Sequence, residues 1–92
     1  MNTTTIELLV NDHPGVMSHV TGLFSRRYFN LLGIVCYRTV PKNHSKIFLL
    51  VENDQKIEQI IKQLSKLFDV LSVKLRNDIQ EEKFVFLQST FE

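Results

Sequence analysis

Ile47-Phe48-Leu49-Leu50-Val51 is an unbroken apolar block; after Glu52-Asn53-Asp54, Ile57, Ile60, Ile61, Leu64, Leu67 and Phe68 recur at i, i+3, i+4, i+7, i+10 and i+11. A short apolar run of this kind suits a strand buried on both faces, and the 3.6-residue period that follows belongs to an amphipathic helix. Asn53 and Asp54 place side-chain acceptors where the first helical amides need them. The stretch predicts a central strand followed by the helix that covers it. Upstream, Pro41-Lys42-Asn43-His44-Ser45 is loop chemistry, and it ends a β-prone run from Phe29 to Val40. Before that, Val16, Val20, Leu23 and Phe24 form a helical stripe that closes on Arg26-Arg27, where positive charge suits the C-terminal dipole. Pro14 is placed to be the first helical residue. Ile6, Leu8 and Val10 alternate with their neighbours over a first strand from Thr5 to Val10, and Val70 to Leu75 reads as a last strand.

The order is β-α-β-β-α-β, which predicts an α+β, ferredoxin-like domain with two helices on one face of a four-stranded antiparallel sheet. It occupies residues 1–76; residues 77–92 form a connector and a C-terminal tail. Leu9, Phe48, Leu50 and part of the Leu32, Ile34 and Cys36 series are expected on the face the helices leave open, and an apolar surface of that kind marks association. Lys83 to Phe91 is β-prone and reads as a docking strand for a sheet edge or a partner.

Composition removes several classes of function. The 92 residues are 43% hydrophobic and 23% charged, enough for one small core and one domain. Eleven Lys plus Arg against ten Asp plus Glu leave a formal charge of +1, so no broad field draws a polyanion or an acidic membrane. The longest apolar stretch, Leu31 to Tyr37, is broken by Gly33 and falls well short of the roughly 20 residues of a membrane span. Cys36 has no partner for an internal disulfide, and Met1 to Thr5 lacks signal-peptide character, so a cytoplasmic location is expected. His13, His19 and His44 have no metal-ligand spacing, and neither a nucleophile elbow nor a Gly-rich phosphate loop occurs. No catalytic residue, metal or cofactor of this chain's own is expected. RNA-recognition domains share the element order, but the third strand, Lys46 to Glu52, lacks their glycine and aromatic pair, which argues against nucleic acid.

The segment with binding chemistry is Asn11-Asp12-His13-Pro14-Gly15-Val16-Met17. The N–H groups of Gly15, Val16 and Met17 fall in the first helical turn, which has no intrahelical acceptors and favours an anion such as a carboxylate. Gly15 admits a ligand close to the backbone, and the side-chain amides of Asn11 and Asn30 suit an ammonium group. The alternative is an ordinary loop-to-helix turn with Asn11 or Asp12 as its cap.

Residues 11 to 27, Asn-Asp-His-Pro-Gly-Val-Met-x-His-Val-x-Gly-Leu-Phe-x-Arg-Arg, closely resemble the regulatory small subunits of acetohydroxyacid (acetolactate) synthase. Phe29-Asn30, Gly33-Ile34, Asp54 to Ile60 and Lys66-Leu67-x-Asp69-Val70 extend the likeness over nearly the whole chain, which is most similar to the short, single-domain class. The resemblance implies an ACT domain that forms a homodimer through its first helix and second strand. It also implies a branched-chain amino acid effector, valine, at that interface. The effector's carboxylate would lie on Gly15, Val16 and Met17 in the loop of Asn11, His13 and Pro14, and its ammonium would face Asn11 and the neighbour's Asn30 and Leu31. Activation and feedback control would be exerted on a large catalytic subunit carrying thiamine diphosphate, Mg2+ and FAD. A generic amino-acid-sensing ACT module for another enzyme is the second reading.

Overall fold

Alternation along the first strand sends Ile6, Leu8 and Val10 to one side of a sheet, where each is fully buried. In the computed structural model, which describes residues 2–27, 29–40, 43–79 and 81–91, that strand is β1 (Thr3–Asn11). There follow α1 (Val16–Arg26), β2 (Leu31–Thr39), β3 (His44–Glu52), α2 (Ile57–Ser65), β4 (Val70–Arg76) and α3 (Glu81–Phe91). The sheet order is β2-β3-β1-β4, antiparallel throughout, so the apolar block of β3 is central, as expected. Val20, Leu23 and Phe24 of α1 and Ile57, Ile60 and Leu64 of α2 close over Ile6, Leu8, Val10, Ile47, Leu49 and Val51. Phe29 anchors the exit from α1: its N–H donates to Phe24 O at 3.0 Å, and the two rings meet edge to face at 5.8 Å.

Several element ends differ from expectation for local reasons. Pro14 is not helical: Gly15 has φ 92°, and that left-handed turn delays α1 to Val16. Asn11 continues β1, paired with His44, so His44 and Ser45 belong to β3 rather than to the loop, of which Pro41 and Lys42 lie outside the described residues. α2 stops at Ser65, and Phe68, expected on its stripe, is 92% exposed. Asp54 does serve the helix entry, its Oδ1 accepting Lys56 N–H at 2.8 Å. A bulge between Leu31 and Gly33 sets the phase of β2, which places Ile34 opposite Leu49 and Cys36 opposite Ile47 on the helix side. Gly33, Val35 and Tyr37 take the other face, opposite Leu50, Phe48 and Lys46.

That other face is not left open, and the tail is not a strand. α3 folds back over it: a methyl group built on Gly33 would lie 3.0 Å from Phe84 Cδ1, and a groove beside the helix is lined by Val35, Phe48, Ile79, Phe84 and Leu87. Phe84 and Leu87, one turn apart, face the sheet, while Glu81 and Glu82 suit the helix N-terminus. A helix satisfies its own backbone hydrogen bonds, whereas a tail strand needs a free sheet edge. The connector is held by charge: Glu7, buried beneath it, pairs with Arg76 and Lys46, and Arg76 also clasps Asp78 through Nε at 2.8 Å and Nη2 at 2.7 Å. Thr5 Oγ1 donates to Ile79 O at 2.8 Å. Yet no residue of α3 is buried, and Val85, Phe86 and Phe91 are exposed.

Truncating Phe24, 2% exposed, to Ala should cost about 3–5 kcal/mol in urea unfolding. Phe86→Ala, at a position 70% exposed, should change the isolated chain by about 0.5 kcal/mol or less. Burial pushes the Glu7 carboxyl up, but Arg76 and Lys46 outweigh it and leave it lowered; Arg76 holds Asp78 at about 2. Both contributions are complete above the ordinary carboxylate range, about pH 4, and are lost as pH falls through the lowered values. Acidification should therefore raise hydrogen exchange in α3 before it does so in β1 and β3.

Candidate functional site

The β1–α1 loop is tied to three other segments. Asn11 N–H donates to Asp69 O at 2.9 Å, and Asp12 N–H to Asn43 O at 3.1 Å. The Asp12 carboxylate pairs with the Arg38 guanidinium on β2. His13 Nε2 bonds the Asp69 carboxylate, and its Nδ1 lies 2.6 Å from Pro14 O. The Pro14 and Asp69 bonds, in that order of size, raise the His13 pKa above the ordinary histidine value.

Neither Asn11 nor Asp12 caps the helix. The N-cap position is Gly15, with no side-chain cap bond, and the first full helical bond runs from His19 N–H to Gly15 O at 3.1 Å. Val16 N–H makes a long contact of 3.4 Å with His13 O. Among the described residues the N–H groups of Gly15 and Met17 have no acceptor, and Pro14 and Gly15 are exposed. With no acidic residue in the first turn and no side-chain cap, this end of α1 presents open donors that suit a small anion.

Asn30 and Leu31 are not here. Leu31 pairs with Val51, which pairs with Thr4, whereas Asn11 lies at the other end of β1, opposite His44. Seven strand residues at about 3.3 Å each separate the two groups by roughly 23 Å within one chain. The intervening β2 is an edge strand on which Ile34, Cys36 and Tyr37 are exposed. Sequence reasoning missed Asp69, Arg38 and Asn43, which hold the loop from 26 to 58 residues away and carry no local pattern. Among the described residues no cluster of His, Cys, Asp or Glu is fit for a metal, and no helix is long and apolar enough to cross a membrane.

A β-α-β-β-α-β sheet with an uncapped glycine turn into α1 and an unpaired β2 edge defines an ACT-type module. Residues 6–72 match the family described as AHAS small subunit-like ACT domain. The chain is 52% identical over 69 residues to the acetolactate synthase isozyme 1 small subunit of Escherichia coli K12, covering 75% of this chain and 72% of that one. The acetolactate synthase small subunit of Mycobacterium bovis is 40% identical over 77 residues, 83% of this chain and 46% of that longer one. The crystal structure of the Thermotoga maritima acetolactate synthase small subunit superposes with a TM-score of 0.77 at 35% identity, over 88% of this chain and 51% of that one. This chain belongs to the acetolactate synthase small subunit family.

The glycine turn has a direct stability test. Gly15→Ala meets no atom within 4 Å but must adopt φ 92°, so it should cost about 1–2 kcal/mol in urea unfolding, whereas a site with negative φ would gain from the same change.

Proposed function

We propose that this chain is the non-catalytic regulatory subunit of an acetolactate synthase, and that it binds a branched-chain amino acid, valine, between two copies of itself. The observation that carries this reading is the placement of the open amides of Gly15 and Met17 at one end of the sheet and of Asn30 and Leu31 at the other, with an unpaired β2 edge between them. Antiparallel pairing of two β2 edges about a two-fold axis brings the loop of one protomer beside the start of β2 in its twin. It also covers Ile34 and Cys36, which one chain leaves exposed on the helix side.

In this arrangement the effector carboxylate rests on Gly15, Val16 and Met17, within the loop of Asn11, His13 and Pro14. Its ammonium group meets the Asn11 side chain, which makes no hydrogen bond among the described residues, and the twin's Asn30-Leu31. Two or three charge-assisted hydrogen bonds at about 1.5–3 kcal/mol each, with about 1.5–3 kcal/mol for burying an isopropyl group, outweigh the ordering costs at micromolar to millimolar effector. The chain itself makes and breaks no bond. Docked on a catalytic subunit that holds thiamine diphosphate, Mg2+ and FAD, it raises turnover, and effector binding lowers it through a coupling of about 1–3 kcal/mol. The exposed Val85, Phe86 and Phe91 of α3 suit that docking.

Millimolar valine should raise the thermal midpoint of the chain. Asn11→Ala and Gly15→Asp should abolish the shift and the inhibition of the reconstituted synthase, while keeping the far-UV spectrum of the fold. An unchanged midpoint with valine, leucine and isoleucine alike would contradict effector binding, and unchanged turnover on mixing with the catalytic subunit would contradict the synthase assignment.

A further inference from the structure

Effector binding gives no role to Asp69, the last residue before β4. Its side chain is 8% exposed, and Oδ1 is buried with no partner. Oδ2 faces His13 Nε2, and the backbone carbonyl of the same residue accepts Asn11 N–H. One residue therefore grips the loop at both Asn11 and His13.

The partners of His13 decide its charge state. A carboxylate and the Pro14 carbonyl are both acceptors, so each ring nitrogen must carry a hydrogen, and the ring that fits is the imidazolium. Its raised pKa agrees. Among the described residues the other titratable or charged groups at this end of the sheet are Asp12, which favours the charged ring, Arg38, paired with Asp12, His44, opposite Asn11, and Cys36, whose thiol feels the Asp12 charge. Pro14 O is the regular i−4 acceptor for Ser18 N–H, but here it faces His13. Ser18 N–H has no acceptor among the described residues, like the N–H groups of Gly15 and Met17.

We infer that Asp69 is a positioning residue for the effector loop: through the His13 imidazolium it holds the Pro14 carbonyl away from α1, keeps the amides of Gly15, Met17 and Ser18 open to a carboxylate, and links effector binding to a proton. The inference rests on the effector reading of this loop and adds to it a residue outside the loop and a pH dependence. The charged ring is complete below the ordinary histidine pKa and is lost as pH rises through the raised value. A neutral ring has one N–H and serves only one of its two acceptors. If Pro14 O is released, Ser18 N–H closes onto it, so effector affinity falls as pH rises.

The test combines two measurements on the full chain. Nitrogen-15 NMR follows the His13 ring and the amides of Gly15, Met17 and Ser18 from about pH 5.5 to 8.5 without effector; calorimetry measures valine affinity at both ends of that range. In the wild type the ring should hold both hydrogens beyond the ordinary histidine range, the three amides should titrate with it, and valine should bind roughly tenfold more weakly at the alkaline end. Asp69→Asn keeps the shape, so it should shift both titrations to lower pH and weaken valine binding near neutrality. His13→Gln should abolish the pH dependence even if Asp69→Asn folds poorly. A singly protonated ring near pH 6, or amides that ignore its titration, would overturn the inference whatever valine does. Amides that titrate as expected in a chain that binds no branched-chain amino acid at any pH would sustain the clamp and overturn the effector reading instead.

Discussion

A helix that starts without a cap leaves donors aimed at solvent, and the rest of this structure is arranged around that deficit at α1. The left-handed Gly15 removes Pro14 from the helix, the Pro14 carbonyl faces His13, and among the described residues no side chain accepts a hydrogen bond from the first-turn N–H groups. Leaving such donors unpaired carries a cost, which an anion can offset with several backbone hydrogen bonds at once. The loop is nevertheless held firmly: Asn43, Arg38 and Asp69, from three different segments, each bind part of it. The amides are thus fixed in place while remaining unpaired, the preorganisation a small-ligand site needs.

Sheet order then determines what a single chain can and cannot do. With β2 at the edge, the loop and the Asn30-Leu31 step lie at opposite ends of the same surface, about 23 Å apart by strand rise. In the proposed dimer a second copy, inverted along the β2 edge, would supply the missing half. In that proposed dimer, ligand binding and association would act on one equilibrium, since whatever fills the site would also hold two protomers together. The opposite face of the sheet is partly occupied by α3, seated on Gly33, so the proposed sensing and docking regions are different surfaces of the same sheet.

Where structure follows from local period, it was readable in the residues. The alternation of Ile6, Leu8 and Val10 and the spacing of Ile57, Ile60 and Leu64 give the sheet and α2 directly, because those side chains are the core. The Asn11–Met17 segment was legible as a turn with open first-turn amides for a similar reason: glycine, proline and first-turn amides act locally. What escaped was decided at a distance. Phe84 to Leu87 has the composition of a strand and no helical stripe, and it is the packing of Phe84 on Gly33, 51 residues away, with Leu87 beside Val35 and Phe48, that gives its helix an inner side. Ile34 and Cys36 changed sides because a bulge at the start of β2 shifted the phase by one residue. Asp69 stood in the Lys66-Leu67-x-Asp69-Val70 likeness, but nothing local marked its contact with a histidine 56 positions earlier that the sheet brings beside it.

The most direct measurement on the shared site is valine stoichiometry in mixed dimers of two single variants, Gly15→Asp and Asn30→Ala. Each homodimer has both of its sites damaged and should bind no valine. In the mixed dimer one site collects both lesions and the other collects neither, so about one valine per dimer should bind with wild-type affinity. A mixed dimer as silent as its parents would place loop and Asn30 in the same protomer's site, or in none, and contradict a site built from two chains.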